Sequence, residues 1–546
     1  MMGTKERRFA PLINVSVEEL VPQDHFYRHL ERTLDLSFVR EFVQETYARG
    51  GRPSIDPVVF FKLQLVMFFE GIRSERQLMR HAADRLSVRW YVGYDLGEPL
   101  PDHSSLSRIC ERYGIEVFRR FFEAIVEQCQ QAGLVWGREL YTDATKVEAN
   151  AAMTSVKPRF AVEAHLNHVF PPEVEPSTEE TEQEVSQEEA APNEPFEQEK
   201  TASPRPLPTS LSQEEYTALS QSNAERHDWI EQLGAQDRSV SIPWYQRVAD
   251  LRVSTTDPDA SMMLTKGGSH LGYQTHYVVD GGKARIILGV LVAPSEVSEN
   301  KPMLDLLWRA RFRWKVWPRQ ATGDSKYGTE ENIVAIESQH LHAYIPLPDN
   351  DHRTAFFSAQ EFQYDAERDV YVCPAGKELH FVQGQSTERS RRYRAYAKDC
   401  NHCPLKAKCT TGKQGRSLCR SVDEEVLDRV RSYYLTEAYK KAYRKRSVWV
   451  EPLFAEGKQW HGMRRFRLRL LWRVNSEALL IAAGQNLKRL LKSRGWGRRP
   501  CPAEAVFALV LAAYGWIIRN YLRAMSISSC IGSASPLSKR EHIPFC

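Results

Sequence analysis

The order of strand-like and helical runs between Gly133 and Pro348 constrains this chain more than any other feature. The segment "GLVWGRELYTD" changes from helical to strand period and reads as a strand ending at Asp143. "HLGYQTHYVVD" and "RIILGVLVAP", joined through Asp280, Gly281 and Gly282, read as an antiparallel hairpin. A helix follows over about Glu299 to Arg313, then a short strand in "RQATGD" ending at Asp324, then one more strand in "HAYIPLP". This order predicts a mixed α/β sheet in which the hairpin lies outside the first strand and the helix crosses to its other side. The first and fourth strands become parallel neighbours, and Asp143 and Asp324 come together at one sheet edge.

An aspartate at a strand end is ordinarily a turn or cap residue. Two held side by side repel each other, which raises one pKa unless a cation sits between them. Oxygen ligands with no histidine or cysteine nearby favour Mg²⁺ or Mn²⁺ over zinc. For Asp324 the competing role is an N-cap of the helix near Thr329, but five residues is too far for a cap to reach. A metal-carboxylate site for phosphoryl transfer needs a third acid, and "AYRKRSVWVEPLFAEGKQWHGMRRFRLR" offers Glu451. A residue before proline is pushed out of the α region, so a helix is expected to begin at Pro452, with Glu451 at its start. Glu451 alone would also read as a first-turn acid favoured by the helix dipole. Lys458 falls about two turns down the same face, where it can hold a phosphate near the metal.

The rest of the chain frames this site. Val17 to about Gly133 carries helical periodicity, with Asp56, Ser74 and Asp102 where N-caps belong. This predicts an all-helical N-terminal domain over 1–135, a candidate DNA-binding module. From Phe170 to Thr217 Pro, Glu, Ser and Thr dominate, a composition expected to be disordered or loosely helical, as part of an acidic insertion over 155–245. The formal net charge of the 546 residues is +4, yet Pro171 to Glu199 holds eleven carboxylates, so the remainder is net basic by roughly fifteen charges. Lys440 to Arg499 alone has seventeen Lys and Arg against three Glu. A charge run is usually a solvated face, but this one surrounds the third acid and reads better as a groove for a DNA backbone. Trp449 and Trp460 flank Glu451, suited either to core packing or to stacking on an unpaired base.

The N-terminus has no apolar run of the secretory kind, and the most apolar stretch, Ala505 to Ile518, is shorter than the roughly 20 residues of a bilayer span. A cytoplasmic, nucleoid-associated protein with no membrane partner is the expectation, that stretch being a buried or dimer-facing helix. In a reducing compartment clustered cysteines are metal ligands more often than bridges. Cys373, Cys400, Cys403 and Cys409 fit a four-thiolate structural zinc site within a Cys-rich insertion over 349–421, with Cys419 or His402 able to replace one ligand and unligated thiols as the alternative. There is no Gly-rich phosphate loop followed by Lys and Ser or Thr, so ATP use is not indicated.

In "YTDATKVEANA", "ATGDSKYGTEEN" and "VEPLFAEGKQWHGMRRF" the chain resembles the DDE transposases of bacterial insertion sequences, and "DPVVFFKLQLVMFFEGI" looks like part of the region that precedes their catalytic domain. The likeness covers most of the chain outside the acidic insertion and the last fifty or so residues. It implies a ribonuclease-H-like catalytic domain over 136–470, with helices on both sheet faces; the rest, 471–546, is expected to be a basic helical C-terminal region. It further implies that Asp143, Asp324 and Glu451 bind two Mg²⁺ ions, that Lys458 and Arg446 neutralise phosphate charge, and that a homodimer pairs two double-stranded transposon ends and joins them to target DNA. The family signature Tyr, two residues, Arg, three residues, Glu, six residues, Lys is matched by Tyr443, Arg446, Glu451 and Lys458, except that four residues separate Arg from Glu. A ribonuclease-H-like nuclease without strand transfer, or a catalytically silent DNA-binding relative, would share these features.

Overall fold

The computed structural model of the chain describes residues 16–47, 54–158, 252–348, 354–382 and 389–497. Most of the acidic insertion, the Ala505–Ile518 stretch and the tail lie outside these residues. The chain divides into two compact units after Ser493, and every element below belongs to the first.

Seven helices open the chain: α1 (Val17–Leu20), α2 (Phe26–Thr33), α3 (Phe38–Val43), α4 (Pro57–Glu70), α5 (Glu75–Asp84), α6 (Leu86–Val92) and α7 (His103–Gln131). The three caps expected from sequence are made: Asp56 accepts from Val58 N, Ser74 from Gln77 N and Asp102 from Ser104 N. Helix α4 is apolar all round and accordingly buried, with Phe60, Phe61 and Val66 fully enclosed. Phe61 stacks on Phe121 of α7 at 4.4 Å between ring centres. Gly114, at φ 60°, interrupts α7 where helical periodicity alone predicts one continuous rod.

The principal sheet is built from β1 (Glu139–Glu148), β4 (Ser261–Thr265), β5 (Gly268–Asp280), β6 (Ile287–Pro294), β7 (Gln320–Thr322) and β8 (His342–Tyr344), with β2 (Val156–Pro158) and β3 (Arg252–Ser254) as a separate pair. The order is β4-β5-β1-β7-β8, and β6 also pairs with β5. Strand β1 is antiparallel to β5 and parallel to β7, as the run order predicts. One expectation is corrected. Strand β1 does not end at Asp143, because β5 keeps pairing with it as far as Glu148↔Gly272, and Thr145 and Val147 favour the extended chain. What ends near Asp143 is β7, whose last partnership is Tyr141↔Thr322.

Helices lie on both faces of this sheet. Helix α8 (Pro302–Arg313) makes the crossover to β7 and packs on β6, with Leu306 over Gly289. The neighbouring position along the ladder, Tyr277, points the other way and stacks on Phe454 at 4.5 Å. After β8, preceded by α9 (Glu330–Ser338), the chain forms a second sheet in the order β13-β12-β11-β10-β9. Its strands are β9 (Gln363–Asp365), β10 (Val370–Val372), β11 (Glu378–Phe381), β12 (Ser390–Ala395) and β13 (Ser417–Ser421), with α10 (Ala397–Asn401) and α11 (Lys406–Cys409) between the last two. Phe362, Tyr371, Leu379, Tyr393, Ala395 and Leu418 form its own small core. Helices α12 (Glu424–Tyr433), α13 (Glu437–Trp460) and α14 (Leu471–Ser493) then return to the principal sheet.

Helix α14 packs on both α7 and β6, so the helical region and the sheet share one continuous core. It also covers the outer edge of β6. Asn475 exchanges hydrogen bonds with the backbone N–H and C=O of Val292, and Asn486 does the same for Ile287, at 2.8–3.0 Å. Eleven helical residues rise about 16.5 Å. Five strand residues span about the same length, so the two amides match the spacing of the strand groups they pair. Among the described residues no helix is long and apolar enough to cross a membrane.

Candidate active site

The site forms where β7 leaves the side of β1. Asp143 and Asp324 each lie two residues beyond the matched pair Tyr141↔Thr322, on parallel strands. Adjacent strands run about 4.8 Å apart, so both acids issue from one edge. Asp143 is nearly buried, its side chain 12% exposed, and accepts from Ala144 N at 2.9 Å and from Arg446 at 2.9 Å. Burial pushes its carboxyl up to about 6; Arg446 and the Ala144 amide oppose this, while the charges of Asp324 and Glu451 add to it.

Asp324 also does local work. Its Oδ1 accepts from Lys326 N at 3.0 Å and caps the tight turn Ser325–Tyr327, while Thr329 caps α9. The cap is therefore of a nearer element than the one weighed from sequence. Lys326 pairs with Glu299 at 2.6 Å beside the acids. Tyr327 is buried beneath them, and burial, followed by the charges of Asp143 and Asp324, drives its hydroxyl pKa well up. Gly328 closes the turn because a Cβ there would lie 2.1 Å from Pro346 O.

Helix α13 crosses the same face of β1. It does not begin at Pro452, as the proline rule predicts; Pro452 lies in its interior and Glu451 is a mid-helix residue. The carbonyl that Pro452 leaves without its helical donor, Val448 O, accepts instead from Arg285 at 3.3 Å, and the flanking apolar contacts of Val450 and Leu453, both fully buried, hold the helix through the proline. The helix is pinned at its middle and beyond its C-terminus. Lys445 donates to Glu139 and to Gly281 O, and Trp449 donates to Gly282 O. Beyond its C-terminus, Arg464 O and Phe466 N bond to Glu148, at the end of the strand that carries Asp143.

These anchors place three α13 side chains at the site. Arg446 stands between Asp143 and Glu451, 2.9 Å from the first and 3.9 Å from the second. Glu451 is 59% exposed, reaching outward from the helix. Lys458 donates to Thr145 Oγ1 at 2.6 Å, two positions along β1 from Asp143. Burial, then the charge of Arg464, lowers its pKa. Tyr443 stacks on Tyr439 and lies 5.7 Å from Arg446. Trp449 packs against the hairpin, while Trp460 is 64% exposed. Thr145 and the Lys445–Glu139 pair carry no sequence signal of their own. Thr145 becomes visible only when β1 is extended past Asp143, since it is the next residue on the same strand face.

The charges of Asp324 and Glu451 raise the affinity of Asp143 for a proton, so the site has a net demand for positive charge, which Arg446 meets in part. Three carboxylates are hard oxygen donors of the kind Mg²⁺ and Mn²⁺ take. As the side chains stand, no three His, Cys, Asp or Glu residues among those described close around one point, so the acids need the arginine to yield before they share an ion. The cysteines Cys373, Cys400, Cys403 and Cys409 lie elsewhere, around one cavity beside the second sheet.

Two family models match the chain. Residues 15–112 match one described as a transposase domain (DUF772), and residues 372–491 match one described as a transposase DDE domain. The second match takes in Glu451, Lys458 and the four cysteines; Asp143 and Asp324 lie outside both. No curated protein and no solved structure matches. The helical region holds the first match, and the helix bearing the third acid lies within the second; both matches are to transposase domains. Over these two regions the chain is similar to DDE-type transposases of the insertion-sequence kind.

Proposed function

We propose that the chain cuts the ends of a DNA element and joins them to target DNA by metal-dependent phosphoryl transfer. The observation that carries this reading is the meeting of Asp143 with Arg446, Glu451 and Asp324 at the end of the β1–β7 pair. The strand order supports a ribonuclease-H-like catalytic domain. Mg²⁺ or Mn²⁺ held by Asp143, Asp324 and Glu451 would activate the attacking water or 3′-hydroxyl and stabilise the leaving oxygen of an in-line displacement at phosphorus.

The chain's own groups prepare this reaction. Arg446, drawn off the carboxylates by a competing cation, is placed to neutralise charge developing on the phosphate. Lys458 donates to a neutral hydroxyl, which leaves its charge available to a phosphate oxygen. The basic residues around α13 and the exposed face of Trp460 suit a bound DNA backbone, whose affinity comes mainly from counterion release. Paired ends require two copies of the chain on DNA, so a homodimer is part of the proposal, as is action at the nucleoid.

Supplying the flanking end sequences and a target with Mg²⁺ tests the reading. Wild type is expected to give nicked ends and a strand-transfer product, and Asp143→Asn to lose both while still binding DNA. Equal activity in the two proteins removes Asp143 from the site, and nicking with no joined product reassigns the chain as a nuclease.

A further inference from the structure

We propose that Cys373, Cys400, Cys403 and Cys409 bind one Zn²⁺ that holds the second sheet's subdomain together. The four thiols come from two pieces of chain, the turn at Cys373 and the segment from Cys400 to Cys409, and line a single cavity of ≈ 20 Å³. That is little more than one water-sized sphere, the scale of a single ion rather than an organic ligand. Cys419 is exposed on β13 and His402 hydrogen-bonds to Lys398 O; neither lines the cavity, so the fourth ligand is Cys373.

The backbone around the thiols is already shaped for sulfur ligands. Cys373 opens a tight turn closed by Gly376 at φ 71°, and its Sγ accepts from Lys377 N at 3.3 Å. Cys400 ends a turn of α10, and its Sγ accepts from Arg416 N at 3.4 Å. Such N–H···S bonds orient the sulfur, as outer-shell partners do around metal sites. As the side chains stand, no three of these thiols close around one point; binding turns the four Sγ atoms into the cavity by side-chain rotation and releases four protons, leaving a centre of charge 2−. Lys377, Lys406 and Arg416 line the same cavity and offset that charge.

Such a link would also reinforce the second sheet. Among the described residues its own core holds six buried side chains, with Cys373, Cys400 and Cys409 packed against it, so a metal staple there adds to a small core. All four cysteines are free thiols, so no disulfide supplies it. The site stands apart from the acids of the principal sheet, and its test does not depend on DNA cleavage.

The test is the zinc content of the full-length chain, purified under reducing conditions without a histidine tag and measured by mass spectrometry of the metal. One zinc per chain is expected, retained in Cys419→Ser and lost in Cys400→Ser/Cys403→Ser. Replacement by Co²⁺ in wild type gives the visible and thiolate charge-transfer bands of a tetrahedral sulfur site, a readout that stands even if the double variant fails to fold. Less than a tenth of a zinc per chain with no cobalt bands overturns the proposal. So does zinc retained at full stoichiometry in the double variant.

Discussion

Asp143 shows how a residue becomes chemically useful by being badly solvated. Burial raises its pKa to about 6 from 3.8, with Asp324 and Glu451 adding to the rise and Arg446 opposing it. The folded chain therefore holds this proton more tightly than the unfolded chain, and stability contributed at Asp143 falls as pH rises from about 4 to about 6. The penalty above that window is at most about 3 kcal/mol. Asp143→Asn lacks the titration. In metal-free buffer the unfolding free energy of the variant should gain on wild type between about pH 4 and 6.5 and then level off, and millimolar Mg²⁺ should stabilise only wild type above pH 6. Parallel pH profiles in urea melts of the two proteins contradict the assignment. Asp143 and Asp324 were legible in the sequence because strand period and order alone bring them to one edge. Arg446 was legible only through a family signature, since nothing in its local pattern says that it will stand between two acids.

At the scale of elements, local rules succeeded where local forces decide and failed where packing does. The caps at Asp56, Ser74 and Asp102 are made because each satisfies its own helix's amides. The proline rule failed at Pro452 because Val450 and Leu453 are fully buried and Arg285 serves the orphaned carbonyl, two facts that lie about 165 residues apart in the chain. Asn475 and Asn486 were likewise unreadable, being two of several polar residues in a helix, with nothing local to say that their partner is a strand edge. An unpaired edge strand invites association with other chains, and these two amides close it. Asn486→Leu removes the partners of Ile287 N and O inside the core, at a cost of about 2–5 kcal/mol from two unsatisfied buried groups. Chemical denaturation checks this, and a loss under about 1 kcal/mol shows that the edge is held by other means.

Across the whole molecule, the acids are brought together by elements that are far apart in sequence and tied to one another physically. Strand β1 carries Asp143, the crossover through α8 delivers Asp324, and α13 is fastened to the hairpin by Lys445 and Trp449 and to the end of β1 through Arg464 and Phe466. Helix α14 joins this assembly to the N-terminal helices in one core, an arrangement that helical periodicity could not reveal because period reports a buried face without naming what covers it. The second sheet was legible only as a cysteine cluster, since its short strands carry little apolar pattern of their own. The central claim is that Asp143, Asp324 and Glu451 share a divalent ion. Iron-directed chain cleavage tests it most directly: Fe²⁺ substituted for Mg²⁺, with ascorbate and peroxide, cuts the backbone next to its ligands. Cuts near positions 143, 324 and 451, all suppressed by excess Mg²⁺ and all lost in Asp143→Asn, are the predicted result; cuts at one of these positions alone, or a pattern unchanged in Asp143→Asn, contradict it.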